Sequence, residues 1–296
     1  WAEPHARFTV LFERFAIDVL LHTNIQAGRE ILRISWDEAW HLMERAVKRG
    51  EKRKPKKIIS QLGVDEKSVG RGQDYVTVVC DLERGCVEEV TEGNSGQSLQ
   101  GYLDRLTAEQ LDGIEAVAMD MAGGYINAVS DSVPNGREKI VFDRYHIMKL
   151  MNEAVDKVRQ QEQKILSDKG SSILKGTKFM WLYAQEKVPF PLLTDFSTLR
   201  ASDLKTARAW AIKENLRNLW WYRSPAWAEK FWKRWYSWAI RSRLRPVKKI
   251  AATLKEHLYG ILSYCKHPIT NAMTEGINSR IETLRKAACG FRNKQR

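Results

Sequence analysis

The sequence predicts an α/β fold: a mixed five-stranded sheet, preceded by a small helical domain and followed by a long all-helical segment. Three observations carry this expectation. Strand-like runs are confined to residues 58–142, helical spacing governs residues 6–50, and after His146 the strand pattern disappears as far as residue 267. With 296 residues and 43% hydrophobic content the chain can bury a sizeable core, and its length suggests about two domains.

In the first region Phe8, Leu11, Phe12, Phe15, Val19 and Leu20 keep helical spacing, as do Ile31, Leu32, Ile34, Trp36 and Trp40. Ser35 followed by Asp37 and Glu38 reads as an N-cap with acids in the first turn, opening a helix that turns Trp36, Trp40, Met43 and Val47 toward a core. The pattern suits the recognition helix of a helix-turn-helix over residues 24–50, and equally a bundle used only for packing; the glycine common in that turn is absent. The basic stretch ending at Lys57, with Pro55, reads as a linker, so a boundary is expected near residue 57.

Five runs then read as strands: Ile58 to Val64, Tyr75 to Cys80, Cys86 to Val90, Ala116 to Met119 and Lys139 to Phe142. Turn-rich links at Gly70 to Asp74 and Glu83 to Gly85 predict an antiparallel meander of the first three. Helical segments at Ser98 to Leu111 and Gly124 to Val129 can cross over between parallel strands. Beyond His146, breaks are expected at Lys169 to Ser172, Val188 to Pro191, Ser224 to Pro225 and Pro246. This helical segment is dense in tryptophan. Trp220, Trp227 and Trp238 fit a buried helix-pair core, with stacking on splayed bases as the other reading.

The net charge of +13 and the isoelectric point near 9.6 favour a polyanionic partner, nucleic acid ahead of an anionic membrane surface. The basic residues cluster at Lys48 to Lys57, at Arg241 to Lys249 and after Arg285. Lys48, Arg49, Lys52, Arg53, Lys54, Lys56 and Lys57 are therefore expected to contact DNA, together with Asn278 and Arg285 further on. A mean hydropathy of −0.46 and the lack of a long apolar run argue against a transmembrane segment. No signal peptide is visible, and with Trp1 as the first residue an upstream segment is expected to be missing. Cys80, Cys86, Cys265 and Cys289 form no C-x-x-C pair and read as reduced thiols of a cytosolic protein rather than a structural zinc site.

Three acids stand where a fold could aim them at one site. Asp65 ends the first apolar run, Asp120 ends the fourth, and Glu275 opens the amphipathic segment TEGINSRIETLRKAACGF. In the helix that carries it Ile277, Ile281, Leu284 and Ala288 form an apolar face, Asn271, Glu275, Asn278 and Glu282 recur as a polar stripe away from it, and Gly290 is placed to end the helix. Each acid alone is as well explained as a strand end, a cap or a solvated side chain. Together they suit hard divalent ions, which bind carboxylate oxygens and in pairs serve phosphodiester displacement.

The segments GVDEKSVGRGQDYVTVVCDLERG, AVAMDMAGGYINAV, IVFDRYHIMKLMNEAVDKVR and TNAMTEGINSRIETLRKAACGFRN resemble successive blocks of the ISL-three (ISL3) family of bacterial insertion-sequence transposases, over residues from about Phe8 to Arg296. The resemblance implies a ribonuclease-H-like catalytic domain interrupted by a helical insertion, with an Asp-Asp-Glu metal triad. On that pattern Asp65 matches the first-strand Asp, Asp120 the fourth-strand Asp and Glu275 the helical Glu. Asp143 and His146 match a D-x-x-H element, with Asp143 the rival to Asp120 as second metal ligand. The resemblance also strengthens the helix-turn-helix reading, although the cysteine-rich zinc ribbon that often precedes it in the family is not in this chain.

The expected domains are 1–57 (helix-turn-helix and linker), 58–146 (first part of the catalytic domain), 147–268 (helical insertion) and 269–296 (catalytic helix). The expected activity is cleavage and strand transfer of DNA with two Mg²⁺ or Mn²⁺ ions, acting on terminal inverted repeats and target DNA. A homodimer on DNA in the bacterial cytoplasm, associated with the nucleoid and with no membrane partner, is expected. A nuclease of the same fold, or a DNA-binding regulator derived from a transposase, are the alternatives.

Overall fold

A computed structural model describes residues 1–2, 7–54, 57–69 and 74–287, with side chains through residue 283. The chain forms two compact units, one of Trp1–Ile58 with the stretch that begins at Glu275, the other of Ile59–Thr274.

In the first unit, helices α1 (Val10–His22), α2 (Ile25–Leu32) and α3 (Trp36–Arg53) each pack on the other two. Their starts are set locally: Thr9 accepts from Phe12 N, Asn24 from Ala27 N, and Ser35 and Glu38 form a reciprocal capping box. The turn from α2 to α3 needs one left-handed residue, and Arg33 supplies it at φ 54° where a glycine is more usual. The core is Ala16, Leu20, Ile25, Leu32, Ala39 and Leu42, with Phe12, Trp36, Trp40 and Met43 packed around it. Four apolar residues expected inside lie outside, namely Leu11 (81% exposed), Phe15 (56%), Ile31 (60%) and Val47 (59%). The small Ala16 and Ala39 take the contact line because they let the helices approach closely.

The sheet of the second unit contains β1 (Gln61–Ser68), β2 (Tyr75–Asp81), β3 (Cys86–Glu92), β4 (Ala116–Met119) and β5 (Ile140–Phe142), in the order β3-β2-β1-β4-β5. Strands β3, β2 and β1 are antiparallel, whereas β1, β4 and β5 run parallel. This is the mixed sheet of a ribonuclease-H-like fold. Strand β1 begins later than its apolar run and continues past Asp65, because its pairing with β2 extends to Ser68 opposite Tyr75. Asp65 therefore sits within the strand rather than at its end. Of the expected first turn, residues 70–73 lie outside the described residues; in the second, Gly85 takes φ 71°.

Between β3 and β4 the single expected helix is two, α4 (Gly96–Leu103) and α5 (Ala108–Asp112), divided where Thr107 and Gln110 form a capping box. Helices α6 (Gly123–Ser132) and α7 (Gly136–Lys139) connect β4 to β5, so Lys139 is helical rather than part of the strand. α4 packs against α6 through a close backbone approach: a Cβ on Gly96 would lie 2.5 Å from the Gly124 carbonyl oxygen.

After β5 come α8 (Arg144–Asp168), α9 (Lys178–Leu182), α10 (Leu193–Ala201), α11 (Lys205–Leu216), α12 (Pro225–Arg241), α13 (Arg245–Glu256), α14 (Leu258–Ser263) and α15 (Ala272–Ala287). Their breaks fall at or within a few residues of the expected ones, with Pro225 and Pro246 in first turns. Helices α8 to α14 share one hydrophobic core with the sheet. Buried Glu162 of α8 ties down α11, accepting from Lys205 N, Thr206 N and Thr206 Oγ1 at 2.8, 2.7 and 2.6 Å. Trp220 is buried as expected, but Trp227 and Trp238 are exposed, and Trp181, Trp210, Trp232 and Trp235 fill the interior instead. On α15 Asn271 and Thr274 at its start and Asn278 beyond are buried, reversing the expected polar outer stripe; the side chain of Leu284, and Ala288 and Gly290 altogether, lie outside what is described.

Glu13 is the one buried acid of the three-helix unit's described residues, paired with Arg45 at 2.5 Å and Arg49 at 2.8 Å across from α1 to α3. Burial alone would raise its carboxyl, but the hydrogen bonds from Arg49 and Arg45 outweigh it and hold the pKa below the ordinary 4.5. A depressed carboxyl stabilises the fold above its unfolded value, so this contribution is present above pH 4.5 and lost as pH falls below it. Glu13→Gln is expected to cost about 1–3 kcal/mol at neutral pH, seen as a lower urea midpoint by circular dichroism, with the gap to the parent closing in acid. Equal midpoints at neutral pH would refute it.

Candidate active site

The register of the parallel strands gathers the acids. β1 pairs with β4 as Gln61 with Ala116 and Gly63 with Ala118, and two further residues along this register bring Asp65 level with Asp120. β4 pairs with β5 as Val117 with Ile140 and Met119 with Phe142, and one further residue brings Asp120 level with Asp143; Asp143 N donates to Met119 O at 2.9 Å. Residues level in a parallel register project from the same face, so the three aspartates form a row at the carboxyl edge of the parallel strands. Neighbours in such a row are roughly 4.8 Å apart along the hydrogen-bonding direction, placing Asp143 two strand spacings from Asp65.

The three are not equivalent. Asp65 and Asp120 are half-buried, and each directs Oδ1 to a nearby amide, Glu66 N at 2.9 Å and Ala122 N at 3.0 Å. Asp143 is 2% exposed and commits both oxygens: Oδ1 accepts from Asn271 N at 3.2 Å, while Oδ2 accepts from Tyr145 N at 3.1 Å and faces His146 Nδ1 at 3.3 Å. It is the N-cap of α8. Burial would raise its carboxyl, but the bonds from His146 and Asn271 bring it below the ordinary range. The same hydrogen bond raises the His146 pKa against the opposing effect of burial, aided by the charges of Asp143, Asp120 and Asp65.

The start of α15 is docked on this edge. Asn271, fully buried, donates from Nδ2 to Val64 O at 2.7 Å and accepts at Oδ1 from Thr274 Oγ1 at 3.0 Å. Gly63 makes room for it, since a Cβ there would lie 2.6 Å from Thr274 Oγ1 and 2.9 Å from Asn271 Oδ1. Glu275 is the next residue of this helix after Thr274. Asn271 and Thr274 are positioning residues that sequence reasoning missed; Asn271 lay in the noted polar stripe, but the sign of its burial was not readable there. Cys80, beside Thr274, is no nucleophile at neutral pH, because burial pushes its thiol up to about 11. Cys80, Cys86 and Cys265 are free thiols, and Cys289 lies outside the described residues.

A family model described as "Transposase", of the DDE ISL3 type, matches residues 62–296, and a second, the helix-turn-helix domain of transposase family ISL3, matches residues 1–47. The chain belongs to the ISL3 family of insertion-sequence transposases. It is 27% identical over 299 residues to the transposase for insertion sequence element IS1001 of Bordetella parapertussis, covering all of this chain and 73% of the relative. The transposase for IS1557 of Mycobacterium tuberculosis is 24% identical over 319 residues, covering all of this chain and 71% of the relative. No solved structure matches.

In this transposase the matched helix-turn-helix domain takes in α1, α2, the turn at Arg33 and most of α3. Of the residues expected at DNA, Lys48 pairs with Glu44 at 2.7 Å and Arg49 is engaged with Glu13, whereas Lys52, Arg53, Lys54 and Lys57 are exposed. Asn278 is buried; Lys56 and the side chain of Arg285 lie outside what is described. Among the described residues, no helix is long and apolar enough to cross a membrane.

Asn271→Leu keeps the branched skeleton but leaves Val64 O without its donor and Thr274 Oγ1 without its acceptor, at a cost of about 1–3 kcal/mol. Hydrogen exchange is expected to quicken at residues 271–274 and not in β2 or β3. Unchanged protection at the start of α15 would contradict this anchoring role.

Proposed function

We propose that this transposase cuts DNA at the ends of an insertion sequence and joins the freed 3′-hydroxyl to target DNA, with Asp65, Asp120 and Glu275 as its metal ligands. The observation that carries the reading is the row of acids at the carboxyl edge of β1, β4 and β5, two of them half-exposed. Carboxylates of this kind fit Mg²⁺ or Mn²⁺, whose preference is for oxygen donors completed by water and phosphate. Two such ions would supply charge neutralisation at the scissile phosphate and a more acidic attacking water.

Asp65 and Asp120, on neighbouring strands, set a shared negative site, and Glu275 follows the helix start held by Asn271. Asp143, with both oxygens engaged, is assigned on this reading as a positioning residue and Asp120 as the second ligand. His146, half-buried beside Asp143, offers a ring nitrogen to the scissile or a flanking phosphate. In the first step water attacks phosphorus in line and the 3′-oxygen leaves as a hydroxyl. In the second, that hydroxyl attacks a target phosphodiester and the count of phosphodiester bonds is conserved.

On this reading residues 1–57 bind the terminal inverted repeats, 58–146 with 269–296 form the catalytic domain and 147–268 its helical insertion. The protein works as a dimer pairing two DNA ends in the bacterial cytoplasm, at the nucleoid. Asp65→Asn, Asp120→Asn and Glu275→Gln are expected to abolish Mg²⁺- or Mn²⁺-dependent cleavage and strand transfer of a labelled transposon end while duplex binding persists. Asp143→Asn is expected to lower cleavage about 10- to 100-fold, as for residues that orient metal ligands. Full cleavage by the first three variants would sink the proposal, and an active Asp120→Asn beside a dead Asp143→Asn would exchange their roles.

A further inference from the structure

Helix α12 has one face that belongs to the core and another that does not. Ala228, Trp232, Trp235 and Ala239 are buried. Trp227, Lys230, Arg234, Trp238 and Arg241 follow one another at steps of three, four, four and three residues, which places all five on a single stripe of the helix, and all five are exposed. Trp227 is 58% exposed and Trp238 39%, although five other tryptophans of the same helical segment are buried. Lys230 Nζ lies 5.0 Å from the centre of the Trp227 ring. The helix has one acid, Glu229, and it pairs with Lys233 at 2.8 Å. Exposed Arg243, Arg245, Lys248 and Lys249 follow.

An isolated exposed indole needs no explanation, but two on one stripe with cations between them combine two recognition chemistries. The cations suit phosphates; the indoles suit the faces of bases, which paired and stacked bases in a duplex do not offer. The two tryptophans, eleven residues apart, are separated by roughly 16 Å along the helix, within the reach of a few nucleotides of one strand. We infer that the outer face of α12 binds an unpaired stretch of DNA, with Trp227 and Trp238 stacking on bases and Lys230, Arg234 and Arg241 contacting the phosphates between them. This rests on the protein acting on DNA and adds the kind of DNA it holds beside the cut: a strand opened from its complement.

The test uses the full chain without divalent metal, so that DNA is bound and not cut, and compares labelled poly(dT) with a mixed-sequence duplex of equal length by fluorescence anisotropy. The Trp227→Ala/Trp238→Ala double variant is expected to lose about tenfold or more in affinity for poly(dT) while duplex affinity stays within about twofold. Trp227→Phe/Trp238→Phe is expected to recover most of it, and an unchanged thermal midpoint shows that the variants fold. Unchanged poly(dT) binding overturns the inference. So does an equal loss on both DNAs, which marks a plain phosphate surface, or a loss of self-association in sedimentation with DNA binding intact, which marks a contact with a second copy. Failure of the parent chain to bind duplex DNA at all would count against the transposase reading itself, whereas duplex binding with indifferent tryptophans counts against this inference alone.

Discussion

Parallel pairing of β1, β4 and β5 is the constraint on which the site depends. Side chains alternate along a strand, so a slip of one residue would send an aspartate to the opposite face and dissolve the row. The register is held from several sides at once. Buried Leu62, Val64, Val117, Met119, Ile140 and Phe142 must meet the core, and β2 grips β1 along nearly its whole length. Packing far more extensive than the site itself decides where three carboxylates end up.

Once the row exists, its members take different work because their surroundings differ. Asp143 is buried at the mouth of α8 and spends its oxygens on an N-cap, on His146 and on the backbone of Asn271. It thereby joins β5, α8 and the start of α15 in one polar junction. Asp65 and Asp120 stay half-exposed, each with one oxygen on a nearby amide. Asn271 and Gly63 are the counterpart on α15: one supplies the bond to β1 and the other the space for it.

The two charged surfaces answer to different physics. In the helix-turn-helix unit Arg49 is drawn inward to Glu13 and serves stability, while the end of α3 is exposed to solvent. On α12 the cations lie among exposed indoles, a composition suited to bases as well as phosphates. Charge counted along the chain cannot separate these cases, since Arg49 and Arg234 contribute equally to the net of +13.

Patterns local to the chain were readable in the sequence. The five strands, the N-cap at Ser35, the proline breaks at Pro225 and Pro246 and the candidate acids Asp65, Asp120 and Glu275 all follow from neighbours a few residues apart. The family blocks added the order of the site. What remained undetermined depended on partners distant in sequence. Helical spacing shows that Leu11, Val47, Trp227 and Trp238 could share faces with core residues, but only the packed helices choose which face is covered. Periodicity likewise marks Asn271 as polar and not as buried, because the donor it provides is needed only where Val64, more than two hundred residues earlier, presents a carbonyl. The sequence by itself determined which groups could do chemistry. The tertiary structure decided which carboxylates stay half-exposed and which are buried in the scaffold, because that choice is made by hydrogen bonds and burial between residues, such as Val64, Asp143 and Asn271, that lie far apart in the chain.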